Sequence, residues 1–280
     1  MAEQFPDLGD FTALPLGGGY DSQAFEVAGR WIFLFPKSPD SAASLPRQAA
    51  LLPKLSPRLS MAVPAFRFFG QLSPAYPHPF VGYEKLPGTL GVEVDPARLD
   101  FGVVGPALAR FLRELHAFPA EEARSLGVPS EIPFTTGARR DEALDDLAVA
   151  AGEVGPEEID RWRRFLAAAP PAWAGPACLV HNDLAAEHVL LDANGDRTGV
   201  IDWGDVALGD PAADFAGLVH WGGEPLAQAA LAAYGPVDEG LLARARWLAA
   251  CRGIADIVFG RAFRRPGYVA TGLRALRAII

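Results

Sequence analysis

The sequence predicts an α+β chain of two lobes, a small N-terminal sheet lobe over residues 1–87 and a larger, mainly helical C-terminal lobe over 88–280. Three observations predict it. A length of 280 residues is more than one hydrophobic core usually serves and suggests two. Residues 14–86 read as strands and turns around one helix, whereas helical periodicity dominates the remainder. Pro87-Gly88 punctuates the change. Half of the residues are apolar, 21% are charged, and 17 Phe with 6 Trp supply bulky core material, which excludes a disordered chain.

Gly17–Gly19 form the first turn signal. Arg30–Phe35 is a bulky run that stops at Pro36, as a buried strand should. A helix over Leu45–Leu55 and a second apolar run ending at Tyr83 complete the small lobe. Past the break, Pro106 suits the first position of a helix, and Leu108, Phe111, Leu112 and Leu115 share one face as far as His116. Further helical patterns cover 139–150, 156–168, 211–234, 237–260 and 267–279.

Three short apolar runs interrupt this helical half, at Ala177–Val180, Val189–Leu191 and Thr198–Ile201. Asn194-Gly195 supplies the positive φ angles of a tight turn between the last two. Folding the chain about that turn sets His188 opposite Ile201 and Asp202 opposite Glu187. His188 and Asp202 then emerge at one end of the hairpin, beside the loop carrying His181 and Asp183. No internal repeat or low-complexity linker appears.

The net charge of −9 and pI near 5.1 argue against a general nucleic-acid binder, which needs a basic face for the phosphates. The acidity is concentrated: residues 241–280 hold eight Arg and one Asp, which leaves the rest of the chain strongly acidic and favourable to cationic small molecules. Cys178 and Cys251 form neither a CxxC pair nor a disulfide framework, as expected of a reduced, intracellular protein. Met1–Gly9 lacks the basic start and apolar run of a signal peptide. Nor does any stretch approach the roughly 20 apolar residues that span a bilayer. The expectation is a cytoplasmic monomer with no membrane or nucleic-acid partner.

Three acidic groups and two imidazoles fall within a short span, at His181, Asp183, His188, Asp202 and Asp205. Apolar strands frame them, and Gly204 leaves room for close backbone approach. Phosphoryl transfer needs such a set: one carboxylate to orient a hydroxyl and accept its proton, and further ligands for a divalent metal on the triphosphate. Surface acids or a helix cap would account for the carboxylates taken singly. A P-loop is excluded, because no GxxxxGK occurs.

The pattern HxDxxxxH, followed by IDWGD and by GDPAAD at 209–214, resembles the aminoglycoside phosphotransferases and their relatives with a protein-kinase-like fold. LGGGYDS at 16–22, WIFLFPK at 31–37, PFVGYEKLPG at 79–88, ARFLRELHAFP at 109–119 and LVHNDLAAEHVLLD at 179–192 extend the resemblance over most of the chain. His at 188, where Asn is more usual, and GYDS after the glycines are most similar to the subgroup that phosphorylates the 2″-hydroxyl of aminoglycosides. The resemblance implies a two-lobed protein-kinase-like fold with a hinge near 80–88.

It also implies roles. Asp183 would be the base that positions the acceptor hydroxyl. Asp202 would bind Mg2+ on the phosphates of ATP or GTP. His188 would be the second metal ligand, although imidazole suits Mg2+ less well than an amide oxygen and a hydrogen-bonding role stays open. Gly17, Gly18 and Gly19 would cover the phosphates, with Ser22 adding a hydroxyl; an ordinary hairpin turn is the alternative. Main-chain groups of Tyr83, Glu84 and Leu86 would hold the purine. His181 would brace the loop, and Asp210 and Asp214 would stabilise it and cap the following helix.

Two departures accompany the match. The family carries Lys or Arg where this chain has Leu34, and an acidic partner near Gln48. Losing both members strands no buried charge, which implies repacking. Lys37, Arg47 and Lys54 are candidates to reach the phosphates instead. For a polycationic acceptor the helical half offers Asp205, Glu224 and Asp256, although each taken alone reads more readily as a solvated helix residue. Arg261, Arg264 and Arg265 read as a solvated face. Trp221, Trp247 and Phe259 read as core, and His78, His116 and His220 receive no role. The expected activity is transfer of a γ-phosphoryl group to a hydroxyl of an aminoglycoside or similar cationic sugar, as in antibiotic resistance. The alternatives are a kinase-fold binding protein without transfer activity, or a kinase for a macrolide, choline-like or metabolic hydroxyl compound.

Overall fold

A computed structural model describes residues 3–19, 21–130, 137–192 and 197–279. In the small lobe, β1 (Ala13–Gly18), β2 (Ser22–Val27), β3 (Trp31–Pro36), β4 (Phe66–Gly70) and β5 (Phe80–Glu84) form one antiparallel sheet in the order β1-β2-β3-β5-β4. Pleating sends alternate β3 residues to opposite faces. Trp31, Phe33 and Phe35 therefore join Val27, Phe68 and Phe80 in an aromatic cluster, and Ile32 and Leu34 point the other way. Gly82, paired with Phe33, is required here: a Cβ would lie 2.7 Å from the Phe33 ring.

Between β3 and β4 run α1 (Pro39–Ala43), capped by the Ser38 hydroxyl on Ser41 N–H, and α2 (Leu45–Leu55), with the bounds the sequence predicts. The buried face of α2 carries Leu45, Gln48, Leu51, Leu52 and Leu55, a helical period. Leu51, Leu52 and Leu55 belong to the large core of the helical half, not to the aromatic cluster.

The chain crosses at Pro87-Gly88, with Gly88 at φ 116°, to β6 (Thr89–Leu90). β6 pairs with β8 (Val189–Leu191), which pairs with β9 (Arg197–Val200); β7 (Cys178–Val180) pairs with β10 (Ala207–Gly209). Around these strands lie α3 (Phe101–His116), α4 (Ala120–Ser125), α5 (Gly137–Val154), α6 (Pro156–Ala167), α7 (Ala212–Tyr234), α8 (Leu241–Ala262) and α9 (Pro266–Ile279).

Two helix starts differ by several residues from expectation, and one helix, α4, was not expected. α3 starts at Phe101 because Asp100 caps it, accepting Gly102 N–H at 2.8 Å; Pro106 sits inside, and the carbonyl it leaves unpaired lies in the first turn. α8 starts at Leu241, not 237, because Asp238 folds back to accept Gly240 N–H. α4 is too short to show a period. The expected hairpin register holds: Val189 pairs with Val200, and Ile201 N–H donates to the His188 carbonyl at 2.9 Å. The Asn194-Gly195 turn lies outside the described residues.

Candidate active site

Two loops form the site, 181–188 between β7 and β8 and 202–205 between β9 and β10. Asp214, fully buried at the start of α7, braces the first loop by accepting the backbone N–H groups of His181 at 3.1 Å and Asn182 at 2.8 Å. That grip holds Asn182 at φ 68°, and Asp202 on the second loop sits at φ 62°, left-handed conformations that Asn and Asp tolerate better than most residues. His116, which the sequence left without a partner, supports Asp214 from α3 at 2.9 Å, and its other ring nitrogen meets Tyr234 Oη at 2.7 Å.

His181 is completely buried and donates from Nε2 to the Ile201 carbonyl at 3.0 Å, while its Nδ1 accepts Asp183 N–H at 3.3 Å. Burial lowers its pKa despite the pull of Asp214, so the ring ties the two loops together as a neutral group. Asp210 accepts Ala212 N–H at 2.9 Å and holds the buried Arg244, whose Nε lies 2.5 Å from Asp210 Oδ2. His181, Asp210 and Asp214 are thus framework.

His188 stands between the two predicted carboxylates. Its Nδ1–H donates to the Asp183 carbonyl at 2.7 Å and lies 3.3 Å from Asp183 Oδ2; its Nε2 lies 3.6 Å from Asp202 Oδ2. Burial alone would depress its pKa, but Asp183, Asp202 and Glu187 outweigh that and raise it. Asp205 faces the same acids. Partial enclosure, then Asp183, Asp21 and Asp202, push its pKa up to about 6. The mutual repulsion of these carboxylates is what a bound cation would relieve. Among the described residues no group of three or more His, Cys, Asp or Glu is arranged to hold a metal alone. The pair Asp202 and His188 fits Mg2+ only as a partial shell completed by water and phosphate oxygens, which is how Mg2+ is commonly bound.

Arg252, on α8, was not anticipated. Its Nη1 donates to Asp183 Oδ1 and its Nη2 to Glu187 Oε1 at 2.7 Å. Burial favours the protonated form of Glu187, yet Arg252, with His188 and His220, holds its pKa at about 2. The available signal was a single Arg four residues before Asp256 in an otherwise apolar helical stretch.

The other predicted residues are distributed unevenly. Gly17 and Gly18 end β1, opposite Ala24 and Gln23; Gly19 is exposed and its carbonyl accepts Lys37 Nζ at 2.5 Å. Ser22 opens β2 opposite Pro36. Tyr83 and Glu84 end β5, Tyr83 buried opposite Ile32 and Glu84 paired with Arg30 at 3.1 Å. Lys85 N–H is taken by the Arg30 carbonyl at 2.8 Å. Leu86 packs so closely on β9 that a Cβ at Gly199 would lie 2.9 Å from it. Of the three acids offered for an acceptor, Asp205 joins the central cluster. Asp256 is held by His220 at 2.9 Å, and Glu224 faces Gln228 at 2.7 Å and Arg246 at 3.8 Å on the flank of α7 and α8.

This fold and this pair of loops define a kinase-like architecture. A model of the phosphotransferase enzyme family matches residues 12–248, and the chain belongs to that family. The chain is similar to an aminoglycoside 2′-phosphotransferase-IIIa mutant solved as its GDP complex, with TM-score 0.81, 28% identity, and coverage of 99% of this chain and 94% of that one. It is also similar to the macrolide 2′-phosphotransferase MphH of Brachybacterium faecium, with TM-score 0.62, 26% identity, and coverage of 96% and 92%. Viomycin phosphotransferase of Streptomyces vinaceus is 34% identical over 123 residues, 43% of this chain and 39% of that protein. The chain spans 61% and 39% of the lengths of two curated relatives it matches. Among the described residues no helix is long and apolar enough to cross a membrane.

Proposed function

We propose that the chain transfers the γ-phosphoryl group of ATP or GTP to a hydroxyl of a small molecule, an aminoglycoside or similar cationic sugar. One observation carries this reading: Asp183 and Asp202 lie on either side of a single imidazole, 3.3 Å and 3.6 Å from its two nitrogens. Asp202 and His188 would hold Mg2+, which supplies charge neutralisation on the phosphates when bound. Asp183 orients the acceptor hydroxyl and accepts its proton at a carboxylate oxygen. Arg252 fixes that carboxylate from behind, and Asp214 and His181 hold the loop rigid, so catalysis is mostly positioning and electrostatics. Gly17–Gly19 with Ser22 cover the phosphates, and main-chain groups from Tyr83 to Leu86 receive the purine. The GDP complex of the similar aminoglycoside phosphotransferase supports a nucleotide co-substrate. The acidic cluster around Asp205 supports a cationic acceptor. A nucleotide co-substrate supports a cytoplasmic setting.

A macrolide-like acceptor is the second reading, because the Arg252 guanidinium on Asp183 repels an ammonium group placed next to the reacting hydroxyl. Purified protein assayed with ATP or GTP, Mg2+ and a panel of aminoglycosides and macrolides tests both. Asp183→Asn is expected to lower kcat by roughly 10²–10⁴-fold while leaving the circular-dichroism spectrum and melting curve intact. Near-normal turnover in that variant removes Asp183 from the reaction. No turnover with any acceptor despite nucleotide binding favours a binding protein.

A further inference from the structure

Resting on the phosphotransferase reading, we infer that Arg47 supplies the cation that contacts the nucleotide phosphates, in place of a basic residue on β3. Phosphoryl transfer benefits from a fixed positive side chain beside the metal, because a triphosphate carries more charge than one divalent ion balances. The strand position open to that role is Leu34, on the face of β3 away from the aromatic cluster, and it is hydrocarbon. On α2, Gln48 is buried and neutral, its amide donating to Ser44 Oγ at 2.9 Å. No charge remains at either place.

One residue along α2, Arg47 crosses between the lobes. Its Nη2 donates to the Gly204 carbonyl at 2.6 Å, inside the segment Asp202–Asp205 that carries the metal-binding carboxylate. Its Nε is buried with no hydrogen-bond partner, so the guanidinium retains unspent donors. It also faces Asp205 across the cleft. Of the competing cations, Lys54 lies on the exposed side of α2, and Lys37, although beside the glycine turn, gives its ammonium to the Gly19 carbonyl at 2.5 Å. A guanidinium binds phosphate with a planar pair of N–H groups where an ammonium acts as a point charge, so the substitution alters how the phosphates are held as well as where the charge originates.

The test is equilibrium binding of ATP–Mg2+ and GTP–Mg2+ by calorimetry to wild type, Arg47→Gln, Arg47→Met and Arg47→Gln with Leu34→Lys and Gln48→Glu. Arg47→Met keeps the stem that fills the lobe junction and guards against a packing defect. The expected result is a Kd at least tenfold weaker in both single variants, with an unchanged acceptor KM, and recovery of most of that loss in the triple variant. Wild-type Kd in a single variant whose melting temperature falls would make Arg47 a strut between the lobes and overturn the inference, leaving the phosphotransferase reading in place. Failure of the wild-type protein to bind either nucleotide would overturn both.

Discussion

Glu187 and Asp183 share one guanidinium, and that sharing sets the charge state of Glu187. A carboxylate so enclosed would ordinarily take up a proton, but Arg252 holds Glu187 ionised with a pKa of about 2 against a usual 4.5. A folded-state pKa below the unfolded value stabilises the fold above the unfolded pKa, and this contribution disappears as pH falls through the folded one. Glu187→Gln should therefore lower stability relative to wild type by a constant amount above about pH 4.5, on the order of 3 kcal/mol, and by progressively less towards pH 2. Urea midpoints measured from pH 3 to pH 7 read this directly; a difference that grows on acidification contradicts the pairing. Asp205 has the opposite sign. Its raised pKa of about 6 reflects enclosure first and neighbouring carboxylates second, and a bound cation would relieve the carboxylate repulsion, so Mg2+ together with nucleotide should bind more tightly at pH 7.5 than at pH 5.5 in a titration calorimeter.

Helix α7 and the loop before β8 are pressed together at a glycine. A Cβ added at Gly217 would lie 1.3 Å from the Leu184 carbonyl oxygen, next to Asp183, and the nearest atoms are backbone that cannot rotate aside. The same helix supplies Asp214 one turn earlier, so its distance from the loop sets where the base stands. Gly217→Ala should force the two elements apart, costing about 3 kcal/mol or more and reducing kcat even in the folded fraction. Chemical denaturation and active-site titration separate the two effects; wild-type stability would show that the helix accommodates a methyl without moving. Helical periodicity located α7 within a residue of its true start but was silent on this contact. A close approach between elements far apart in the chain leaves only a glycine as its trace, and glycines occur for many reasons.

Across the whole molecule the two lobes do not divide the hydrophobic residues as the chain order suggests. The aromatic cluster around Phe33 and Phe80 serves the sheet, while the leucines of α2 belong to the large core. A helix of the small lobe is thereby anchored to the large one, with Arg47 projecting from it into the cleft. Shared burial should couple the lobes, so scanning calorimetry is expected to give one endotherm that both Phe33→Ala and Leu51→Ala lower by several degrees. Two separate endotherms, each sensitive to only one substitution, would contradict that coupling. The amino-acid order alone determined the α+β class, the bounds of α2, the hairpin register that brings His188 to Asp202, and the loop acids themselves, because these follow from local periodicity, turn chemistry and short-range pairing. Tertiary structure decided which acids face one another, that Arg252 grips Asp183, that His116 and His220 have carboxylate partners, and that Glu224 looks away from the centre. Those outcomes depend on how helices α3, α7 and α8 pack around the strands. A charge separated by many residues from its partner leaves no periodic mark in the chain that carries it.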